Sequence, residues 1–272
     1  MLIAHSVEKL HTELDRLRYA AGTRRCVSLI TTHGQLHEGH GAVINAAKTV
    51  SDVVVVAIIP EVETDDRVIS ANEFHDIGFV ERHGADLLFV LQQDYLLCAE
   101  SRTQIKVQAP FPEFELDPER LRTHLCVLNA VQPEIMVWGE RNFVEYATMR
   151  QLLQDLSLRT QLQCVPTVRH ADGVPVASAV ELLAAEDRAR LPVQFETLRN
   201  ASHAIRAGAR NWQKVENTAR LALKGADFEV DYFRILDEST LQSANDKTVA
   251  FRIVTQARIN GIPLIDSLGL AL

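Results

Sequence analysis

Two histidines three residues apart, His37 and His40, are the side chains here best placed by type and spacing to do chemistry. They stand in Thr31-Thr32-His33-Gly34-Gln35-Leu36-His37-Glu38-Gly39-His40. Residues three apart in the first turn of a helix share a face, so both imidazoles point the same way. Gly39 lets a ligand approach the backbone closely, and Thr32 and Gly34 flank the same turn. The amides of such a turn and the positive end of the helix dipole favour an anion. A phosphate chain laid across it meets two imidazoles and several N–H groups, which would stabilise charge building on an α-phosphate during attack. Two other readings are open. A metal pair of the H-E-x-x-H kind needs histidine at 41, where Gly41 stands. A plain pair of surface histidines at a helix start is the other.

The elements that must position this turn are readable on either side of it. Cys26 to Thr31 is a short apolar run with the look of a strand, and Val43, Ile44, Ala47 and Val50 mark one face of a following helix. Val7, Leu10, Leu14 and Leu17 predict a helix over 6–20. Val53 to Ile59 is unbroken apolar, as strands buried on both faces of a parallel sheet are. The alternation continues through a helix with Phe74, Ile77 and Val80 and a strand from Asp86 to Val90. A helix follows, with Asp117 as its cap, Pro118 at its first position, and Leu121, Leu125 and Leu128 on one face. Glu134 to Trp138 and Gln161 to Val165 read as strands around a helix at 143–157. Strand and helix in alternation predict an α/β fold with a doubly wound parallel sheet over residues 1–170. After Asp172-Gly173 the pattern changes. Residues 185–224 read as mostly helical, and Phe228 to Leu236 and Lys247 to Arg258 as strands, which predicts a smaller α+β domain over 171–272.

The bulk composition bounds the partners. The 272 residues carry a net charge of -8, with 47% hydrophobic residues and 24% charged, ordinary for a chain that buries a sizeable core. An acidic chain repels nucleic acid and anionic lipid as a whole, so neither is an expected partner and any polyanion site must be local. Cys26, Cys98, Cys126 and Cys164 form no C-x-x-C pair and sit in apolar runs. They read as buried free thiols in a reducing compartment, and no signal peptide is read at the N-terminus, so the cytoplasm is the expected location.

Four segments, in order, carry a resemblance. The first is Gly34 to His40 followed by Asp52-Val53-Val54-Val55-Val56. The second is Trp138-Gly139-Glu140-Arg141-Asn142-Phe143 through Met149-Arg150 to Asp155-Leu156. The third is Val165-Pro166-Thr167-Val168-Arg169 with Asp172-Gly173. The fourth pairs Val230-Asp231-Tyr232-Phe233 with Pro263-Leu264-Ile265-Asp266. Together they resemble the pantothenate synthetase (pantoate–β-alanine ligase) family over nearly the whole chain. The resemblance implies a Rossmann-like, HIGH-type nucleotidyl-transferase domain followed by the small α+β domain. It also implies an ATP-dependent ligase, in which a carboxylic acid attacks the α-phosphate to give an acyl adenylate and an amine then displaces AMP. The implied cofactors are ATP and Mg2+, and the implied assembly is a homodimer. His37, His40 and Arg141 are then the catalytic candidates, and Thr32, Gly34, Gly39, Gly139, Asn142, Val168 and Ser178 the ATP-binding ones.

The departures bear on the acid. Arg141 and Asn142 stand where the family has lysine and aspartate, so a planar fork replaces a point charge. The family's S-S-R-N falls on Ala177-Ser178-Ala179-Val180, which keeps one serine and no arginine. The family's G-x-x-R-P-G-H-F stretch is missing, and Ala109 to Asp117 is short. The family's pantoate-holding glutamines are absent: Val144-Glu145 replaces one pair, and Ile59-Pro60-Glu61-Val62-Glu63-Thr64-Asp65-Asp66 replaces the other segment. Glu145 and Glu61 are therefore the substrate candidates, and an altered acid, one carrying an amino group to pair with Glu145, is expected. The same departures leave open a nucleotide- or partner-binding relative without turnover, and a nucleotidyl-transferase that stops at adenylyl transfer.

Overall fold

The computed structural model describes residues 1–59, 69–91, 103, 105–114 and 117–272. The chain forms two compact units. One comprises Met1–Val107, Leu116–Gly139 and Met149–Val165, the other Gln108–Glu115, Glu140–Thr148 and Pro166–Leu272.

The first unit is built on six parallel strands: β1 (Leu2–Ala4), β2 (Val27–Thr32), β3 (Val53–Ile58), β4 (Leu87–Val90), β5 (Ile135–Gly139) and β6 (Gln161–Val165), in the order β1-β4-β3-β2-β5-β6. Every residue of β3 is buried, because Val-Val-Val-Val-Ala-Ile offers apolar surface to both sides. Alternate residues feed two cores. Val53, Val55 and Ala57 join Leu29, Phe89 and Met136, while Val54, Val56 and Ile58 join Ile44, Phe79 and Val137. Burying each such valine or isoleucine contributes about 1.5–3 kcal/mol. The chain runs from β2 outward through β3 and β4, then crosses back to set β5 on the other side of β2. Strand order therefore reverses between β2 and β5, and beyond the carboxyl ends of strands at such a reversal a ligand crevice opens.

Helices α1 (Val7–Arg18), α2 (Glu38–Val50), α3 (Ile69–Arg82) and α4 (Pro118–Val131) belong to this unit, and α5 (Phe143–Asp155) runs from the second unit into it. Ser6 caps α1 by accepting the Lys9 amide at 3.2 Å. Asp117 caps α4 by accepting the Glu119 amide at 2.9 Å, and Pro118 supplies the first turn.

The second unit carries α6 (Ser178–Glu181), α7 (Ala185–Arg188), α8 (Pro192–Arg206) and α9 (Trp212–Gly225) with an antiparallel sheet, β7 (Glu229–Asp237), β8 (Ala250–Ile259) and β9 (Ile262–Ala271). The sheet has one strand more than the sequence reading assigned. Asn260 and Gly261, both at positive φ (51° and 79°), form the two-residue turn that pairs β8 with β9. Pro263, Gly269 and the polar Asp266-Ser267 hide β9 from an apolar-run criterion. Cys26, Cys126 and Cys164 are free but half-buried, not fully buried as expected, and Cys98 lies outside the described residues. Among the described residues no helix is long and apolar enough to cross a membrane.

Candidate active site

The turn after β2 is held by its own side chains. His37 is the N-cap of α2, and its Nδ1 accepts the Gly39 amide at 3.1 Å. The His37 amide in turn donates to Nδ1 of His40 at 3.2 Å. With Nδ1 accepting, a neutral His40 carries its proton on Nε2, which lies 3.1 Å from Thr32 Oγ1 at the buried end of β2. The two rings sit 4.1 Å apart between centroids, as the three-residue spacing requires.

A residue the sequence reading passed over completes the turn. Asp76 of α3, only 3% exposed, accepts the Gln35 amide at 2.9 Å and the Leu36 amide at 2.8 Å. These bonds hold Gly34 at φ 85° and Gln35, which is not glycine, at φ 51°. A Cβ on Gly34 would stand 3.1 Å from Asp76 Oδ2. Asp76 had a signal: Phe79 and Val80, three and four residues on, are core, so its face of α3 turns inward. The expectation of several amides open to a phosphate needs correcting. Those of Gln35, Leu36, His37 and Gly39 are already engaged in shaping the turn.

Beside this turn lies a second histidine pair. His33 follows β2 directly, and its ring meets that of His124 on α4 edge-on at 5.9 Å. His124 also packs on Trp138 of β5 at 5.1 Å. Burial, then the Arg120 guanidinium, lowers the His33 pKa to about 4, against weaker opposition from the Ile59 carbonyl and Asp117. Burial, then His33 and Arg120, holds His124 well below the usual imidazole range. The sequence signal was a lone histidine three after Leu121 and four before Leu128, on the apolar face of α4.

The remaining candidates lie in the second unit or at its borders. Arg141 and Asn142 sit in the 3-10 turn Glu140–Asn142. That turn is anchored by Glu140, whose carboxylate meets Arg252 at 2.6 Å and whose carbonyl accepts Ser267 Oγ at 2.8 Å. Arg252 covers the Phe143 ring at 3.7 Å. Arg141 lines a small cavity of about 10 Å³ with Val174, Ala177, Gln194 and Leu264. Its charge also reaches Asp266, a buried carboxylate gripped by both Arg169 nitrogens at 2.7 and 2.8 Å. Burial pushes that carboxyl up and Arg169 opposes it. The Val168 carbonyl accepts the Val176 amide at 2.9 Å, and Ser178 is the first residue of the four-residue α6. Glu145 lies near the Tyr232 phenol, which burial and then the Glu145 charge push up. Gly139 ends β5, where a Cβ would meet only Val43 at an ordinary 3.9 Å. Thr32, Gly34, His37, Gly39 and His40 are thus brought together in the first unit, and Arg141 and Asn142 in the second. Glu61 and the rest of the acidic run at 61–66 lie outside the described residues.

A parallel sheet whose order reverses at β2, with a histidine pair on the turn that follows, defines a HIGH-type nucleotidyl-transferase fold. Solved structures agree. A pantothenate synthetase from Thermus thermophilus superposes with a TM-score of 0.84 at 23% identity, covering 98% of this chain and 99% of that one. A pantoate-beta-alanine ligase from Francisella tularensis, complexed with beta-gamma ATP and beta-alanine, gives 0.75 at 22% identity, covering 98% and 97%. A pantothenate synthetase of Marinobacter nauticus is 30% identical over 99% of both chains, and one of Vibrio cholerae 30% identical over 89% of this chain and 87% of its own. The sequence model of the pantoate-beta-alanine ligase family matches residues 2–269, and the chain belongs to that family.

Proposed function

We propose that the protein is an ATP-dependent, AMP-forming amide ligase that joins a carboxylic acid to an amine, with pantoate and β-alanine as the family's pair and an altered acid here. The carrying observation is the locked His37–His40 pair at the strand-order reversal of a chain matched to the ligase family from residue 2 to 269. The acid's carboxylate attacks the α-phosphorus of ATP, pyrophosphate leaves, and an acyl adenylate forms. The amine then attacks the acyl carbon and AMP leaves. His37 turns an N–H donor toward charge developing on the α-phosphate, His40 holds the turn that aims it or exchanges its Thr32 contact for a phosphate oxygen, and Arg141 contributes a cation to the phosphates. Thr32, Gly34, Gly39, Gly139, Asn142, Val168 and Ser178 frame the nucleotide, and Glu145 faces the acid.

Magnesium, when bound, neutralises phosphate charge. Such an ion is usually held chiefly by phosphate oxygens and water, with few protein ligands. The enzyme works as a homodimer in the cytoplasm. A second reading, a nucleotide-binding relative without turnover, is favoured by Ala177-Ser178-Ala179-Val180, where the family arginine is missing. The test is product analysis with ATP, pantoate and β-alanine, alongside alternative acids. Stoichiometric AMP and amide support ligation, while adenylate without amide marks a transferase that stops early. Absence of both AMP and amide with every acid, at saturating ATP, overturns it.

A further inference from the structure

The His33–His124 pair is not absorbed by the chemistry assigned to His37 and His40, yet it lies where a ligand is expected. His33 leaves the carboxyl end of β2 and Trp138 stands next to the last residue of β5, the two strands between which the order reverses. His124 is 5% exposed, and all four ring nitrogens of the pair lack a hydrogen-bond partner among the described residues. The Ile59 carbonyl is near His33 without hydrogen-bonding geometry to either nitrogen. Buried polar groups are almost always paired in folded proteins, so two adjacent buried imidazoles with four open nitrogens mark a place shaped for something else.

The charges decide what that is. Arg120, one helical turn before His124 on α4, acts on both rings, and Asp117 acts on His33. A cation entering here would meet the guanidinium. An anion would meet a positive field and two imidazole N–H donors. A carboxylate accepts at two oxygens, and hydrogen bonds of roughly 2.8 Å to each ring bridge centroids 5.9 Å apart. A hydroxyl could meet as many ring nitrogens, but only an anion also gains from the Arg120 charge.

We propose that His33, His124 and Arg120 form a subsite for a second carboxylate on the acyl donor, so that the acid this enzyme activates is a dicarboxylic acid. This rests on the reading of the chain as an acid-activating ligase and adds the class of acid. The carboxylate that is not adenylated bridges the two imidazoles from the side, and the other is left to attack ATP.

The experiment has two arms on the full chain. In the first, ATP–pyrophosphate exchange is measured with four- and five-carbon dicarboxylic acids and with monocarboxylic acids of equal length. The expected result is a kcat/KM at least tenfold higher for dicarboxylic acids, and a preference that collapses in His124→Leu and His33→Leu. His124→Gln, which restores a donor and an acceptor, should recover part of it. In the second arm, succinate and 2-hydroxysuccinate are titrated calorimetrically into the protein with a non-hydrolysable ATP analogue, while imidazole 15N shifts of His33 and His124 are followed. Binding that moves both sets of shifts supports the subsite even if no acid gives exchange, an outcome that would instead sink the ligase reading. Exchange with monocarboxylic acids alone, or dicarboxylate binding that leaves both imidazoles unmoved, overturns the subsite and leaves ligation standing. The same holds if the leucine variants keep the wild-type preference while folded, as judged by circular dichroism.

Discussion

The ring nitrogens of His40 are used twice, once toward the His37 amide and once toward Thr32, so this side chain sets the shape of the turn as well as its charge. Removing it takes away both. A charge-assisted contact to phosphate is worth about 1.5–3 kcal/mol, and two hydrogen bonds that shape the turn are worth a similar amount, so Arg141→Ala and His40→Ala should each lower kcat/KM for ATP at least about tenfold. Steady-state kinetics with varied ATP check this, and unchanged values in both variants contradict the placement. Glu145 carries a separate expectation. A carboxylate beside the attacking acid repels it by about 1–4 kcal/mol at about 4 Å, for effective dielectrics between bulk water and a protein surface. Glu145→Gln should therefore raise activity on pantoate and lower it on any acid bearing an amino group, read from amide formation with each. The histidine spacing was legible from sequence because it depends only on helical periodicity. The meeting of His33 with His124 was not, since it depends on α4 coming against the turn after β2, a contact 91 residues apart in the chain.

At the scale of elements, α3 holds the turn through one carboxylate. Asp76 bonds two amides from full burial, and bonds to a charged acceptor are worth about 1.5–3 kcal/mol each. Asp76→Ala should destabilise the fold by about 2–4 kcal/mol in urea denaturation and raise the KM for ATP, because Gln35 loses the bond that keeps it at positive φ. A variant of wild-type stability and KM would show that the turn stands without it. Five of the six parallel strands were readable from their apolar runs, as in β3, and β1, only three residues long, was not. β9 was not, because its buried polar pair Asp266-Ser267 and its Pro263 break the apolar run; only the Asn260-Gly261 turn announced it. Asp76 itself looked like any charged residue of an amphipathic helix until its inward face was seen.

For the whole molecule, the buried imidazoles link stability to pH. Both are neutral when folded, with pKa values below the ordinary 6.5, and in the unfolded chain they take up protons near that value. A histidine with a depressed folded pKa contributes stability that is complete above the unfolded pKa and is lost as pH falls from there toward the folded one. For His33 that window runs from 6.5 to about 4 and corresponds to on the order of 3 kcal/mol. Urea midpoints should therefore drop steeply across this window, and the drop should be shallower in a His33→Leu/His124→Leu double variant; parallel curves would contradict it. Activation of an acid with ATP is measured by ATP–pyrophosphate exchange without any amine present. Label should return from pyrophosphate into ATP only when the acid is added, and His40→Ala should abolish that return. No exchange with any carboxylic acid, from a folded protein that binds ATP, would contradict such activation.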